Sequence, residues 1–171
     1  MSSIATGPTM QKDDGQPQIP VENPATGEVI GHVPDMSAAQ IAELAGGPGR
    51  PTGLGGAGYE GRAVVLKRMQ RWLVDNADQV IATICSETGK TYEDAQIAEL
   101  IYGAAAFGFW ADKAPRYLAD ERIHSSSVFV KGKRLVLRYR PMGLIGVIGP
   151  WNYPLTNSFG DCIPALAPET A

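Results

Sequence analysis

The stretch GVIGPWNYPL, residues 146–155, joins a run of small and branched apolar residues to a turn holding two prolines, a tryptophan and an asparagine. Leu144, Ile145, Val147 and Ile148 are apolar on both faces of an extended chain, the pattern of a parallel strand covered by helices on either side. Burying those side chains would contribute roughly 6–12 kcal/mol at about 1.5–3 kcal/mol each. Beyond the turn, Pro154 opens PLTNSFGDCIPALA with a proline where a first helical turn tolerates one, followed by an apolar stripe. The order strand, turn, helix predicts an α/β fold with one polar amide, Asn152, at the mouth of an apolar strand. An asparagine in such a place ordinarily serves the turn by bonding its own backbone. Gly143, Gly146 and Gly149 lie before and within the strand, so they are not the G-x-G-x-x-G dinucleotide fingerprint; close packing in a sheet accounts for them.

Working back along the chain, VFVKGKRLVLRYR, residues 128–140, alternates with period two. It reads as two strands joined at Lys131, Gly132 and Lys133, with Leu135, Leu137 and Tyr139 on one face and Arg138 and Arg140 on the other. The period then changes. Over 91–118, Ile97, Leu100, Ala104, Phe107, Trp110 and Ala114 form one helical stripe, which Pro115 should end or bend. Over 60–89, Ala63, Leu66, Met69, Leu73, Ala77, Val80 and Ile84 recur at threes and fours. Asn76 and Asp78 interrupt that rhythm and Gly89 stops it, which predicts two helices with a bend between them.

Residues 46–58, GGPGRPTGLGGAG, hold seven glycines and two prolines, so no helix persists there at about 1 kcal/mol per glycine and about 3 kcal/mol per proline. Ahead of this loop Ser37 is placed to cap a helix carrying Ala38, Ile41 and Leu44, and the turn formers Asn23 to Gly27 predict a short hairpin. Residues 1–20 are rich in Ser, Gln, Asp, Gly and Pro and read as a flexible tail, with the fold starting near Val21. The expected organisation is therefore a tail over 1–20, a helical part over 21–126, a β-hairpin over 127–142 and a strand–helix unit over 143–171.

Composition narrows the function. Apolar residues make up 44 %, charged residues 19 %, and the net charge is −3, which lacks the basic excess of a nucleic-acid binder. No window reaches the ~18 uninterrupted apolar residues needed to cross a bilayer, so no membrane partner is expected. Cys85 and Cys162 are too few and too isolated for a disulfide framework or a thiolate metal site, and they point to a reducing, cytoplasmic setting. His32 and His124 have no spaced partner, so no metal site is expected.

The turn Gly149-Pro150-Trp151-Asn152-Tyr153-Pro154 resembles the PWN(F/Y)P motif of the aldehyde dehydrogenase superfamily. Two further stretches agree in order: ENPATGEVI with the family's opening hairpin, and SETGK, residues 86–90, with its E-T-G-K stretch. RYRPMGLIGVIGPWNYPL is similar to the passage from the family's oligomerisation strands into the first strand of its NAD-binding domain. The resemblance runs from Val21 to about Ala167, and the glycine-rich segment departs from it.

That resemblance implies the N-terminal portion of the aldehyde dehydrogenase fold: helices, a hairpin of the oligomerisation region and the first strand and helix of a Rossmann-like domain. It implies oxidation of an aldehyde to a carboxylic acid with NAD or NADP, in a protein that forms homo-oligomers. It also assigns roles. A cysteine thiolate attacks the aldehyde, and the amide of Asn152 would stabilise the oxyanion that results. Ile148, Gly149, Pro150 and Trp151 would line the nicotinamide-ribose side of the cofactor cleft, and Tyr153 would face the aldehyde channel. The family's nucleophilic cysteine and general-base glutamate fall beyond residue 171, so the expectation is a portion inactive alone. The competing expectation is a non-catalytic remnant or oligomerisation module.

Overall fold

The computed structural model describes residues 15–46, 56–140 and 143–167. Its first element is a hairpin of β1 (Gln18–Glu22) and β2 (Val29–Pro34), antiparallel, with a bulge between Val21 and Glu22. The turn forms as its residues predict: Asn23 Oδ1 accepts from the Ala25 amide at 2.9 Å, and Gly27 takes φ 73°. β1 takes in Gln18, Ile19 and Pro20, which the sequence reading gave to the tail; pairing with His32, Val33 and Pro34 orders them. In a two-stranded ribbon both strands are edges, so Pro20 breaks no central ladder. The rest of the expected tail, residues 1–14, lies outside the described residues.

Helix α1 (Ala38–Gly46) opens with a reciprocal cap. Ser37 Oγ accepts from the Gln40 amide at 3.3 Å, and Gln40 Oε1 accepts from the Ser37 amide at 2.8 Å. None of its residues is buried. Of the glycine-rich segment, residues 47–55 lie outside the described residues, while Gly46 ends α1 and Gly58 begins α2 (Gly58–Asp75). Asn76 separates α2 from α3 (Ala77–Thr88), the expected bend, and Gly89 ends α3 at φ 74° with its amide on the Cys85 carbonyl.

The next helix is continuous but not uniform. α4 (Tyr92–Asp94) passes into a π-helical segment, Ala95–Ile101, and then into α5 (Tyr102–Tyr117). A π segment advances less per residue than an α-helix, so it rotates everything before it relative to the stripe that follows. Ile97, expected on the buried stripe, is consequently 64 % exposed, and Glu99 is turned inward instead. The core sits between α2, α3 and α5, with Leu66, Leu73, Ile81 and Phe107 buried at its centre. Pro115 falls near the end of α5, which stops two residues later.

Residues 127–142 depart from the expected hairpin. β4 (Leu135–Leu137) pairs antiparallel with β3 (Glu121–Ile123), whereas Val128–Val130 forms a single 3-10 turn. Two residues ahead of the alternating stretch, Asp120 and Glu121, meet its side chains in this register. Arg138 donates two-pronged to Asp120, with Nη2 2.8 Å from Oδ2, and the Tyr139 hydroxyl donates to Glu121 at 3.1 Å. Those contacts tie the segment after α5 to β4, and Val128 and Phe129 are left 75 % and 89 % exposed.

The buried strand expected at 144–148 is not formed. Leu144 is 54 % exposed, Ile145 43 % and Ile148 fully, and no strand pairing involves them. A parallel strand takes its backbone hydrogen bonds from neighbours on either side. The described strands form two two-stranded antiparallel ribbons, and neither offers an edge to this segment. The helix after the turn does form, as a π-helical segment, Pro154–Phe159, running into α6 (Gly160–Leu166), with Pro154 at its first position. Ile163 anchors α6 in the core, and buried Arg62 of α2 donates to the Leu166 carbonyl at 3.1 Å. Cys85 in α3 and Cys162 in α6 are half-buried thiols. Among the described residues no helix is long and apolar enough to cross a membrane.

Candidate functional site

The turn is held from below. Thr88 Oγ1 accepts from the Lys90 amide at 3.2 Å, and Gly89 in the left-handed region reverses the chain, which sends the Lys90 side chain inward from the end of α3. Thr91 then caps the next helix, accepting from the Asp94 amide at 3.3 Å. The Lys90 side chain is only 10 % exposed. Its ammonium donates to Asp94 at 2.9 Å, lies 3.5 Å from Glu99 Oε1, and sits 3.2 Å above the centre of the Tyr153 ring. The Glu99 contact is close enough for charge pairing but is not a directed hydrogen bond, so Oε1 is left without one.

Burial alone would lower the Lys90 pKa. The hydrogen bond to Asp94 and the charges of Asp94 and Glu99 outweigh it, so the ammonium is held above the ordinary lysine value of 10.5. A cation so placed over a half-buried ring contributes about 1–2 kcal/mol. Removing one member of a buried ion pair typically costs about 3–5 kcal/mol, because the other is left uncompensated.

Glu99 reaches the turn directly. Fully buried, it accepts the Thr156 amide on Oε2 at 2.8 Å. Thr156 is the third residue of the helix that Pro154 opens, and its amide is one of the donors that a helix leaves without an internal partner. The Thr156 hydroxyl donates to the Ala98 carbonyl, a second tether between the same two segments.

Above this base the expected site residues are open to solvent. Ile148 is fully exposed and Trp151 78 % exposed, and Gly149, Pro150 and Asn152 are exposed as well; Tyr153 is half-buried on Lys90. The sequence reading places Asn152 at the end of a buried strand in a dry setting; because that strand does not form, the carboxamide instead projects from an open turn. Gly149 has a local reason. A Cβ there would fall 1.6 Å from Ser158 Oγ and 3.0 Å from the Ser158 Cα, so the turn closes onto its own helix only without a side chain. Ile148 and Trp151 are both large apolar side chains left exposed on this turn.

Lys90, Glu99 and Thr156 escaped the sequence reading as site residues. The available signal was local: a lone glutamate inside the apolar helix AQIAELIYGAAAF, and a lysine directly after a helix-ending glycine. The residues expected at the site do lie together on one turn, and Tyr153 joins that turn to the buried pair.

Sequence comparison matches residues 10–169 to the aldehyde dehydrogenase family. A glutarate-semialdehyde dehydrogenase of Pseudomonas putida is 32 % identical over 163 residues, which cover 94 % of this chain and 32 % of that protein. Among solved structures, an aldehyde dehydrogenase from Brucella melitensis biovar abortus superposes with a TM-score of 0.76 at 31 % identity, covering 88 % of this chain and 30 % of that one. An NADP-dependent enzyme of E. coli superposes with a TM-score of 0.76 at 26 % identity, covering 88 % and 31 %. The chain spans less than a third of the length of these proteins.

Proposed function

The chain belongs to the aldehyde dehydrogenase family and carries the N-terminal portion of its fold, and from that premise we propose that it supplies the oxyanion donor and the nicotinamide-facing turn of an NAD(P)-dependent enzyme that oxidises an aldehyde to a carboxylic acid. The observation that carries this reading is the PWN turn at 149–153, held on a buried ion pair through Tyr153 and Thr156. A neutral amide donor aimed at a forming oxyanion, once enclosed, supplies about 2.7–4 kcal/mol of transition-state stabilisation.

Each residue has a part. Asn152 donates to the oxygen on which charge develops as a thiolate adds to the aldehyde carbon; Ile148 and Trp151 present the apolar face toward the cofactor; Gly149 and Pro150 shape the turn between them. The cofactor, when bound, accepts the hydride. The solved NADP-dependent relative and the glutarate-semialdehyde dehydrogenase support a nicotinamide cofactor and an aldehyde substrate. With Asn152 in open solvent, the chain by itself provides the donor without the dry enclosure, and it is expected to turn over no aldehyde alone.

The test is a graft. Residues 15–167 replace the corresponding portion of the Pseudomonas putida relative, and aldehyde-dependent reduction of NAD(P) is followed with and without Asn152→Ala. The substitution should lower kcat by about 100- to 1000-fold. Equal turnover by an active graft and its Asn152→Ala form would remove the assignment. The second reading, a non-catalytic assembly module, draws on the exposure of Val128 and Phe129 beside the β3–β4 ribbon. It is favoured if the purified chain associates through that ribbon while the graft stays inactive.

A further inference from the structure

We infer that Lys90 and Glu99 are positioning residues for the Asn152 turn: they hold the turn through Tyr153 and Thr156 and so fix where the Asn152 amide can lie. The inference rests on the proposed role of Asn152 and adds to it two residues, far back in sequence, that do not touch substrate or cofactor.

Four observations converge on it. Tyr153 stands at the N-cap of the helix opened by Pro154 and makes no capping bond with its side chain, since a phenol ring facing away has no acceptor to offer the first amides. The cap comes from another helix instead, as the Glu99 carboxylate on the Thr156 amide, where the helix dipole also favours a negative charge. Lys90 balances that charge from 3.5 Å and carries the Tyr153 ring 3.2 Å above its ammonium. The π-helical segment Ala95–Ile101 puts Glu99 on the buried side at all, and it does so while exposing Ile97. Such segments recur where an α-helix has been locally reshaped for a site.

The geometry of the turn gives these contacts their consequence. Asn152 is adjacent to Tyr153, the last residue of the turn that is pinned to the helical body, and ahead of it Gly149 approaches Ser158 closely. A buried ion pair adds little net stability compared with well-packed apolar residues of the same size. What it adds here is a defined place for the start of the helix.

The test uses the 171-residue chain and nuclear magnetic resonance. Amide hydrogen exchange is measured at Thr156 and, as references in the core, at Leu66 and Leu73, together with the order of the Asn152 side-chain amide. Glu99→Ala should speed exchange at Thr156 about tenfold or more and loosen the Asn152 amide, with the reference amides unchanged. Glu99→Gln, which keeps an acceptor, should restore most of the protection. The wild-type chain should show an upfield ring-current displacement of the Lys90 methylene signals, and Tyr153→Leu should abolish it.

Uniform acceleration across the reference amides would make the pair merely structural and overturn the inference, as would an Asn152 amide indifferent to Glu99→Ala. Should Glu99→Ala fail to fold, Tyr153→Leu decides the matter: a looser Asn152 amide and faster Thr156 exchange with unchanged reference amides support the inference, and no local change overturns it. Asn152→Ala should leave Thr156 exchange at its wild-type rate. The graft experiment alone tests the chemistry of Asn152, so either result can fail without the other.

Discussion

Phe107 and Ile148 are both large apolar side chains in segments whose patterns read as buried, yet one is 1 % exposed and the other fully exposed. The first belongs to a helical body built of α2, α3, α5 and α6, the second to the segment leading into the PWN turn. The difference lies in what each needs. A helix satisfies its own backbone and needs only apolar neighbours, which the other helices supply. A parallel strand must be given both its backbone partners and its two covering layers by other segments, and none of the described strands pairs with this one. The apolar run at 144–148 therefore stays exposed, because among the described residues no strand pairs with it and no layer covers it.

Breaking the well-made half has the largest effect. Phe107 packs tilted against Phe159 at 5.7 Å between ring centres, joining α5 to the helix after the turn. Phe107→Ala should destabilise the chain by about 3–5 kcal/mol through lost burial and the cavity left behind. Urea unfolding followed by far-ultraviolet circular dichroism checks it. A loss under about 1 kcal/mol would mean that the helical body is held elsewhere.

The same contrast explains how much could be read from sequence. The helices at 58–75 and 77–88, the bend at Asn76 and the stop at Gly89 were legible because period, cap and glycine are local facts. The β3–β4 pairing was not, because its register depends on Asp120 meeting Arg138 across eighteen residues, and the alternation at 128–130 carries no trace of that. At the site, Asn152 and its neighbours stood out through one dense motif. Lys90 and Glu99 did not, since the π-helical segment that turns Glu99 inward breaks the very period by which buried positions are recognised.

Titration separates the two junctions of the molecule, with a smaller effect. Asp120 is held below the ordinary aspartate value, first by its hydrogen bond from Arg138. A group whose folded pKa is depressed stabilises above its unfolded value and loses that contribution as the pH falls through the folded one. The ribbon's ion pair therefore weakens in acid, below 3.8, and because both side chains are about half exposed the change should be small and shrink with added salt. Lys90 behaves oppositely: its raised pKa gives stability that is complete below 10.5 and is lost as the pH rises through the folded value. Side-chain resonances of Lys90 should shift at the alkaline end, while those of Asp120 and its partner Arg138 respond at the acid end. Coincident transitions would show that the two regions are not independent.

The smallest effect is the most informative about the exposed half. Ile148→Ser should change the stability of this chain by less than about 0.5 kcal/mol, because a fully exposed side chain has no burial to lose. Grafted into the Pseudomonas putida relative, the same substitution should cost about 1.5–3 kcal/mol if the segment is there buried in a sheet, the value of burying an isoleucine. Thermal unfolding of both proteins, each with and without the substitution, gives the four numbers required. A sizeable loss in the short chain would show that residues 144–148 are already packed in solution. No loss in the graft would show that Ile148 never enters a covered sheet, and would leave the Asn152 turn without the rigid strand that its proposed chemistry needs.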